Sequence, residues 1–156
     1  MEAVGAAFGI ADAALRASSK LWTLTGAWRD APGDLHRLRD DLSRTQRFFA
    51  ETQEGINSMY ELGRDAHKES HSSLREMERL LDEGHDVLQQ IETFADSLDR
   101  PKNPANGLDD ELREPRELGK RRKLLWMTST RRINRLRGEL RSITSNVCRL
   151  LIAQNV

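Results

Sequence analysis

Residues 4–22 read VGAAFGIADAALRASSKLW, and two patterns overlap in them. Gly5, Gly9, Ala13 and Ala17 recur at every fourth position, while Val4, Phe8, Leu15 and Trp22 supply bulk. Small residues at that spacing form a smooth strip along a helix, where a second backbone can come close. An ordinary helical bundle uses the same device, and alanine is the best helix former, so internal packing and self-association both fit the strip. The bulky set, continued through Ala11 and Ser18, alternates steps of four and three and predicts a core-facing seam. Charges limit what the helix can be. Glu2, Asp12, Arg16 and Lys20 leave only residues 3–11 uncharged, far short of the roughly 20 residues that span a bilayer. The helix is not a permanent transmembrane segment.

Outward from this stretch, the first helix is expected to run from Glu2 to about Trp28 and to stop at Arg29-Asp30-Ala31-Pro32-Gly33-Asp34. Pro and Gly break it there, and Asp34 is placed to cap the next helix. That second helix starts near Leu35 with a seam of Leu38, Leu42, Thr45 and Phe49, extended by Gln53, Ile56 and Tyr60. Gly55 and Gly63 weaken the prediction of its far end. A third helix opens near Ser70 or Ser72 and carries Leu74, Met77, Leu81, Gly84, Leu88, Ile91 and Leu98. Between Asp99 and Pro115, Pro101, Pro104 and Gly107 mark a loop. The last helix resumes near Arg116, with Leu125, Ile133, Leu136, Leu140, Ile143, Val147 and Leu150 along one stripe and Trp126 and Ser129 upstream. Four such seams bury one another only together, so the prediction is an all-α, antiparallel four-helix bundle forming one domain over residues 1–156. The final helix ends without a capping glycine, which suggests the N-terminal domain of a longer multidomain protein.

Composition agrees with narrow seams on long helices. Hydrophobic residues make up 37% of the 156 and charged residues 32%, a balance richer in charge than the usual globular chain. The net charge is zero, but residues 1–114 hold 14 Lys and Arg against 23 Asp and Glu, while residues 115–156 hold 11 against 2. The last helix is therefore a cation among acidic neighbours. A single cysteine, Cys148, excludes an internal disulfide, and the N-terminus lacks the basic region and leucine-rich core of a secretory signal. A cytoplasmic location is expected, with Cys148 buried or half-buried beside Val147.

The segment from Ala3 to Phe49 carries a resemblance. Its Gly/Ala helix, Leu21-Trp22, and the run Asp30-Ala31-Pro32-Gly33-Asp34-Leu35 leading into Leu38 and Leu42 resemble the HeLo-like N-terminal domains of fungal STAND proteins, a NOD-like receptor group. The match covers about the first third of the chain; the rest agrees in helical pattern and length, and Ala13 and Ala17 stand where the family's glycine strip continues. The resemblance implies a helical bundle related to the cell-death bundles of mixed-lineage kinase-like pseudokinases and plant coiled-coil immune receptors. It further implies a downstream nucleotide-binding module in the same chain, oligomerisation on activation, and regulated cell death through conditional recruitment to a membrane. On this reading Val4, Gly5, Phe8, Gly9, Ala13, Leu15, Ala17 and Trp22 form the membrane or self-association element, with the bulky residues hidden in the resting bundle. The rival reading is an oligomerisation or adaptor domain that does not engage lipid.

Sequence signals for other chemistry are absent. Gly119-Lys120 is followed by Arg121 without the earlier glycine of a phosphate loop, and there is no H-E-x-x-H, C-x-x-C or nucleophile elbow. His67 and His71 are four apart, yet two histidines in a polar junction fit solvated residues better than metal ligands. No carboxylate pair stands in an apolar setting that would separate two pKa values for acid and base work. Neither catalysis nor a cofactor is expected. The basic residues Lys120, Arg121, Arg122, Lys123, Arg131, Arg132 and Arg135, continued by Arg137 and Arg141, suit anionic lipid or the acidic faces of the second and third helices. Nucleic acid fits less well, because only Trp126 is available for base stacking.

Overall fold

A computed structural model describes residues 2–65, 69–100 and 115–154. Among them are four helices and no strand: α1 (Glu2–Ala27), α2 (Gly33–Asp65), α3 (Glu69–Asp99) and α4 (Pro115–Gln154). The all-α prediction holds. The predicted loop lies at residues 101–114, outside the described residues.

The helix ends follow the local chemistry. After α1, the Trp28 amide donates to the Leu24 carbonyl at 2.8 Å and the Ala31 amide to Trp28 at 3.2 Å, tightening the chain before Pro32. The next helix begins at Gly33 rather than Leu35, so Asp34 sits inside the first turn. There its carboxylate favours the positive end of the helix and meets Arg37 at 3.4 Å. Gly55 does not end α2, which runs nearly three further turns past it to Asp65, because Ile56 and Met59 are anchored in the core. Pro115 opens α4, where a missing amide proton leaves no helical bond unmade.

Helix α1 packs against α2 and α3, α4 packs against α3 and less extensively α2, and α2 and α3 touch only slightly. Along α1 and α2, Ser18 meets Ser43 at 2.9 Å and Thr25 meets Arg39 at 3.4 Å. Along α3 and α4, Gln90 meets Arg132 and Leu98 meets Arg122. The core is continuous, and the predicted seams of the last three helices supply most of it: Leu38, Leu42, Phe49 and Ile56 from α2, Met77, Leu81, Leu88, Ile91 and Leu98 from α3, and Ile133, Leu136, Leu140, Ile143 and Val147 from α4. Gly84 of α3 admits side chains from both other sides of the core, since a Cβ there would lie 3.3 Å from Ile10 of α1 and 3.5 Å from Ile143 of α4. Gly63 lets α2 reach α3, where a Cβ would collide with the Leu74 side chain.

Helix α1 departs from the prediction. Its inner face is Ile10, Ala13, Ala14, Ala17, Leu21 and Leu24, with Ser18 at the margin. Phe8, Leu15 and Trp22, expected in the core seam, are 56%, 51% and 55% exposed.

Candidate functional site

The geometry of α1 explains the inversion. At 3.6 residues per turn, a step of four overshoots one turn by about 40°, so a strip built on that step winds around the helix. Gly5 is exposed, Gly9 half-buried, and Ala13 and Ala17 fully buried, in that order. A step of seven drifts only about 20°, so Phe8, Leu15 and Trp22 stay on one line along the outer face. The small-residue strip therefore enters the core, and the bulky set forms a solvent-facing ridge. The side chain of Val4 lies outside the described residues.

Neighbouring helices fix both edges of this ridge. Toward α2, the Arg39 guanidinium stacks 3.7 Å from the centre of the Trp22 ring. Arg39 is held in turn by Asp40 at 3.1 Å and by Thr25 at 3.4 Å. Toward α3, Lys20 bridges Glu92 at 3.0 Å and Asp96 at 2.8 Å, and Arg16 pairs with Asp12 in its own helix and with Glu92 at 3.5 Å. Hydrogen bonds donated to Asp96 and then to Glu92 hold the pKa of the Lys20 ammonium above its ordinary value near 10.5. The ridge thus stands on a helix clamped on both sides, with Phe8 and Leu15 about half exposed and Trp22 covered on one ring face by Arg39.

Among the described residues, neither Gly5 nor Gly9 of α1 is tightly packed within the bundle. A Cβ at Gly5 would meet nothing within 4 Å, and one at Gly9 only His85 Nδ1 at 4.0 Å. These two positions are room rather than contact.

The basic residues of α4 divide into separate roles. Arg122, predicted on the charged surface, is 7% exposed. Its Nε donates to the Leu98 carbonyl at 2.9 Å and its Nη2 to that of Asp99 at 3.3 Å. Those carbonyls belong to the last turn of α3, whose acceptors have no partner within the helix, so Arg122 ties the end of α3 to α4. Burial pushes its guanidinium pKa down from the ordinary value, against the opposing pull of Asp99. Arg132 reaches Gln90 on α3 at 3.4 Å, Arg135 pairs with Glu139 at 3.5 Å within α4, and Arg137 and Arg141 both pair with Asp41 on α2. Arg121 is half-buried. Lys120, Lys123 and Arg131 are exposed and accompany two outward apolar residues, Leu124 and Met127, which are 64% and 66% exposed. The backbones of α1 and α4 stand at opposite corners and do not approach closely, because α2 and α3 each pack between them. The two surfaces predicted from sequence are therefore separate and do not form one site.

Neither feature of α2, the Arg39 stack or the shared carboxylate of Asp41, was read from the sequence. Each depends on a partner in another helix, and no spacing within α2 announces it. Cys148 is half-buried as expected. His67 lies outside the described residues, His71 is exposed, and among the described residues no group of three or more His, Cys, Asp or Glu is gathered to hold a metal. No described helix is long and apolar enough to cross a membrane.

Fold and surface place the chain in the broad class of all-α helical domains. No protein-family model, curated protein or solved structure matches it.

Proposed function

We propose that this chain is a non-enzymatic effector or signalling domain that works by self-association through the outer ridge of α1. The observation that carries the reading is the alignment of Phe8, Leu15 and Trp22, each more than half exposed, at intervals of seven. Three large apolar side chains on one line match the seam of a helix pair, in which residues repeating every seven positions meet a second helix. Gathering several copies by a downstream module raises their effective concentration, so a contact too weak for free domains becomes populated.

The resemblance to HeLo-like domains extends the proposal to a cytoplasmic receptor that induces regulated cell death, with gathered ridges targeting a membrane. In this form the helix need not be released from the bundle to present its bulky residues. An up-down-up-down antiparallel bundle over a single domain belongs to the same reading, and the reversed order of the Ser18–Ser43 and Thr25–Arg39 contacts supports it. The second reading, an adaptor that avoids lipid, is favoured by the narrowness of the ridge, which Asp12, Arg16 and Ser19 border closely. A membrane-surface helix presents a broader apolar face.

Sedimentation and liposome leakage on the intact chain and on a Phe8→Glu/Leu15→Glu variant test both. Oligomers that vanish in the variant support the ridge, and leakage that vanishes with them supports membrane targeting. Oligomers without leakage select the adaptor. Equal association in both proteins rejects the ridge altogether.

A further inference from the structure

We propose that the groove between α2 and α4 is a binding site for a phosphomonoester carrying an apolar group. The groove encloses about 520 Å³, within the roughly 300–1,000 Å³ usual for small-ligand sites. Its rim holds Arg44 from α2 and Arg137, Arg141 and Arg149 from α4, with Asp41 as the one carboxylate that lines it. Four guanidiniums against one carboxylate leave an excess of three positive charges.

The contacts give each cation a different freedom. Asp41 Oδ2 accepts from Arg137 Nε at 2.8 Å and from Arg141 Nη2 at 3.1 Å, while Arg44 stands 3.8 Å from Oδ1. Asp41 and Arg137 are nearly buried, with side chains 12% and 13% exposed, so this pair forms a fixed base. Arg44 and Arg141 are 81% and 66% exposed and retain donors that one shared carboxylate cannot occupy. Arg149 has no ion pair among the described residues.

A phosphomonoester dianion fits this excess in charge and geometry, because planar guanidiniums grip its oxygens in paired hydrogen bonds. The floor adds an apolar requirement through Phe48 and Leu140. The hydroxyls of Thr45 and Thr144 are already spent on the Asp41 and Leu140 carbonyls, each at 2.9 Å, so the arginines are the principal donors left. A ligand joining phosphate to a short hydrocarbon matches both parts. This site is independent of the α1 ridge.

Cys148 lines the same groove and is the chain's only cysteine, which makes it a reporter. The test is its rate of alkylation by uncharged iodoacetamide, in the intact chain, with octyl phosphate below its micelle concentration. At about ten times the dissociation constant, octyl phosphate is expected to slow alkylation about tenfold. Octanol is expected to leave the rate unchanged, and the Arg141→Gln/Arg149→Gln variant to lose the protection while its melting temperature holds. Should that variant not fold, Arg44→Gln on the opposite wall is expected to weaken protection instead. Phosphatidylcholine vesicles with and without phosphatidic acid identify the source. Protection by the acidic vesicles supports the site with a lipid headgroup as ligand, and protection by octyl phosphate alone supports it with a soluble ligand. No protection at millimolar octyl phosphate, equal protection by octanol, or protection unchanged in a folded variant would overturn the proposal.

Discussion

In α4 the large side chains Ile133, Leu136, Leu140 and Val147 face inward and most cations face out, whereas in α1 Ala13, Ala14 and Ala17 face inward and Phe8, Leu15 and Trp22 face out. Burying a large apolar side chain stabilises by about 1.5–3 kcal/mol, so the regular stripe of α4 is committed to the fold, while Leu124, Met127 and Ile152 near its two ends face water. Helix α1 leaves about half of three such side chains in water. The contrast teaches that apolar periodicity locates an amphipathic helix without saying which partner its bulkier face serves. For the Ile133–Val147 stripe of α4 that partner is the rest of the chain, and for the outer line of α1 it is external under the function proposed here.

Overfilling the inner face of α1 is the sharpest way to break this contrast. Ala17→Leu forces three heavy atoms into a fully buried position and is expected to cost about 3 kcal/mol in urea unfolding. Leu15→Ser, two residues away on the ridge, is expected to stay within about 0.5 kcal/mol. Equal losses at the two positions would erase the distinction between the faces.

On α4 the corresponding variant is Arg122→Met, which keeps the buried stem but leaves the Leu98 and Asp99 carbonyls without their donor. A loss of about 2 kcal/mol is expected by the same measurement. Lys123→Met, at an exposed neighbouring position, is expected to change little, so a comparable loss there would remove the special role of Arg122.

Two smaller effects probe the edges of α1. Gly9→Ala fits the open space beside His85 and is expected to stabilise by about 0.5–1 kcal/mol through helix propensity, read as a higher melting temperature. A lower melting temperature would mean that α1 and α3 approach more closely there. Lys20 gives the smallest effect, under about 0.5 kcal/mol after solvent screening. Its pKa is raised on folding, so its contribution is complete below its ordinary value near 10.5 and is lost as pH rises through the higher folded value. Wild type and Lys20→Met are expected to differ in melting temperature at neutral pH, to begin converging near pH 10.5 and to coincide only above the raised folded value. A gap that persists at high pH would show that the charge is not its origin.

Much of the architecture was legible because its signals are local. Pro32 and Gly33 mark the break after α1, and the leucines and isoleucines of α2, α3 and α4 repeat with one unambiguous phase. In α1 two sets of residues compete for the inner face, and bulk favoured the wrong one. Alanine is small enough to suit either face, so its burial leaves little trace in a hydropathy pattern. The charge division was legible too, but its partners were not: Arg122 answers the end of α3, while Arg137 and Arg141 share Asp41, and these contacts join residues far apart in the chain.

Periodicity and helix breakers alone determined that this chain is all-α, where its helices begin and end within a few residues, and that α1 carries a small strip and a bulky line. Tertiary structure decided which of the two faces water. With α1 held against both α2 and α3, clamped by Lys20 on one side and Arg39 on the other, the space behind its middle turns accommodates alanine. Ile10, Leu21 and Leu24 fill the inner face on either side of those turns, and Phe8, Leu15 and Trp22 fall on the opposite side.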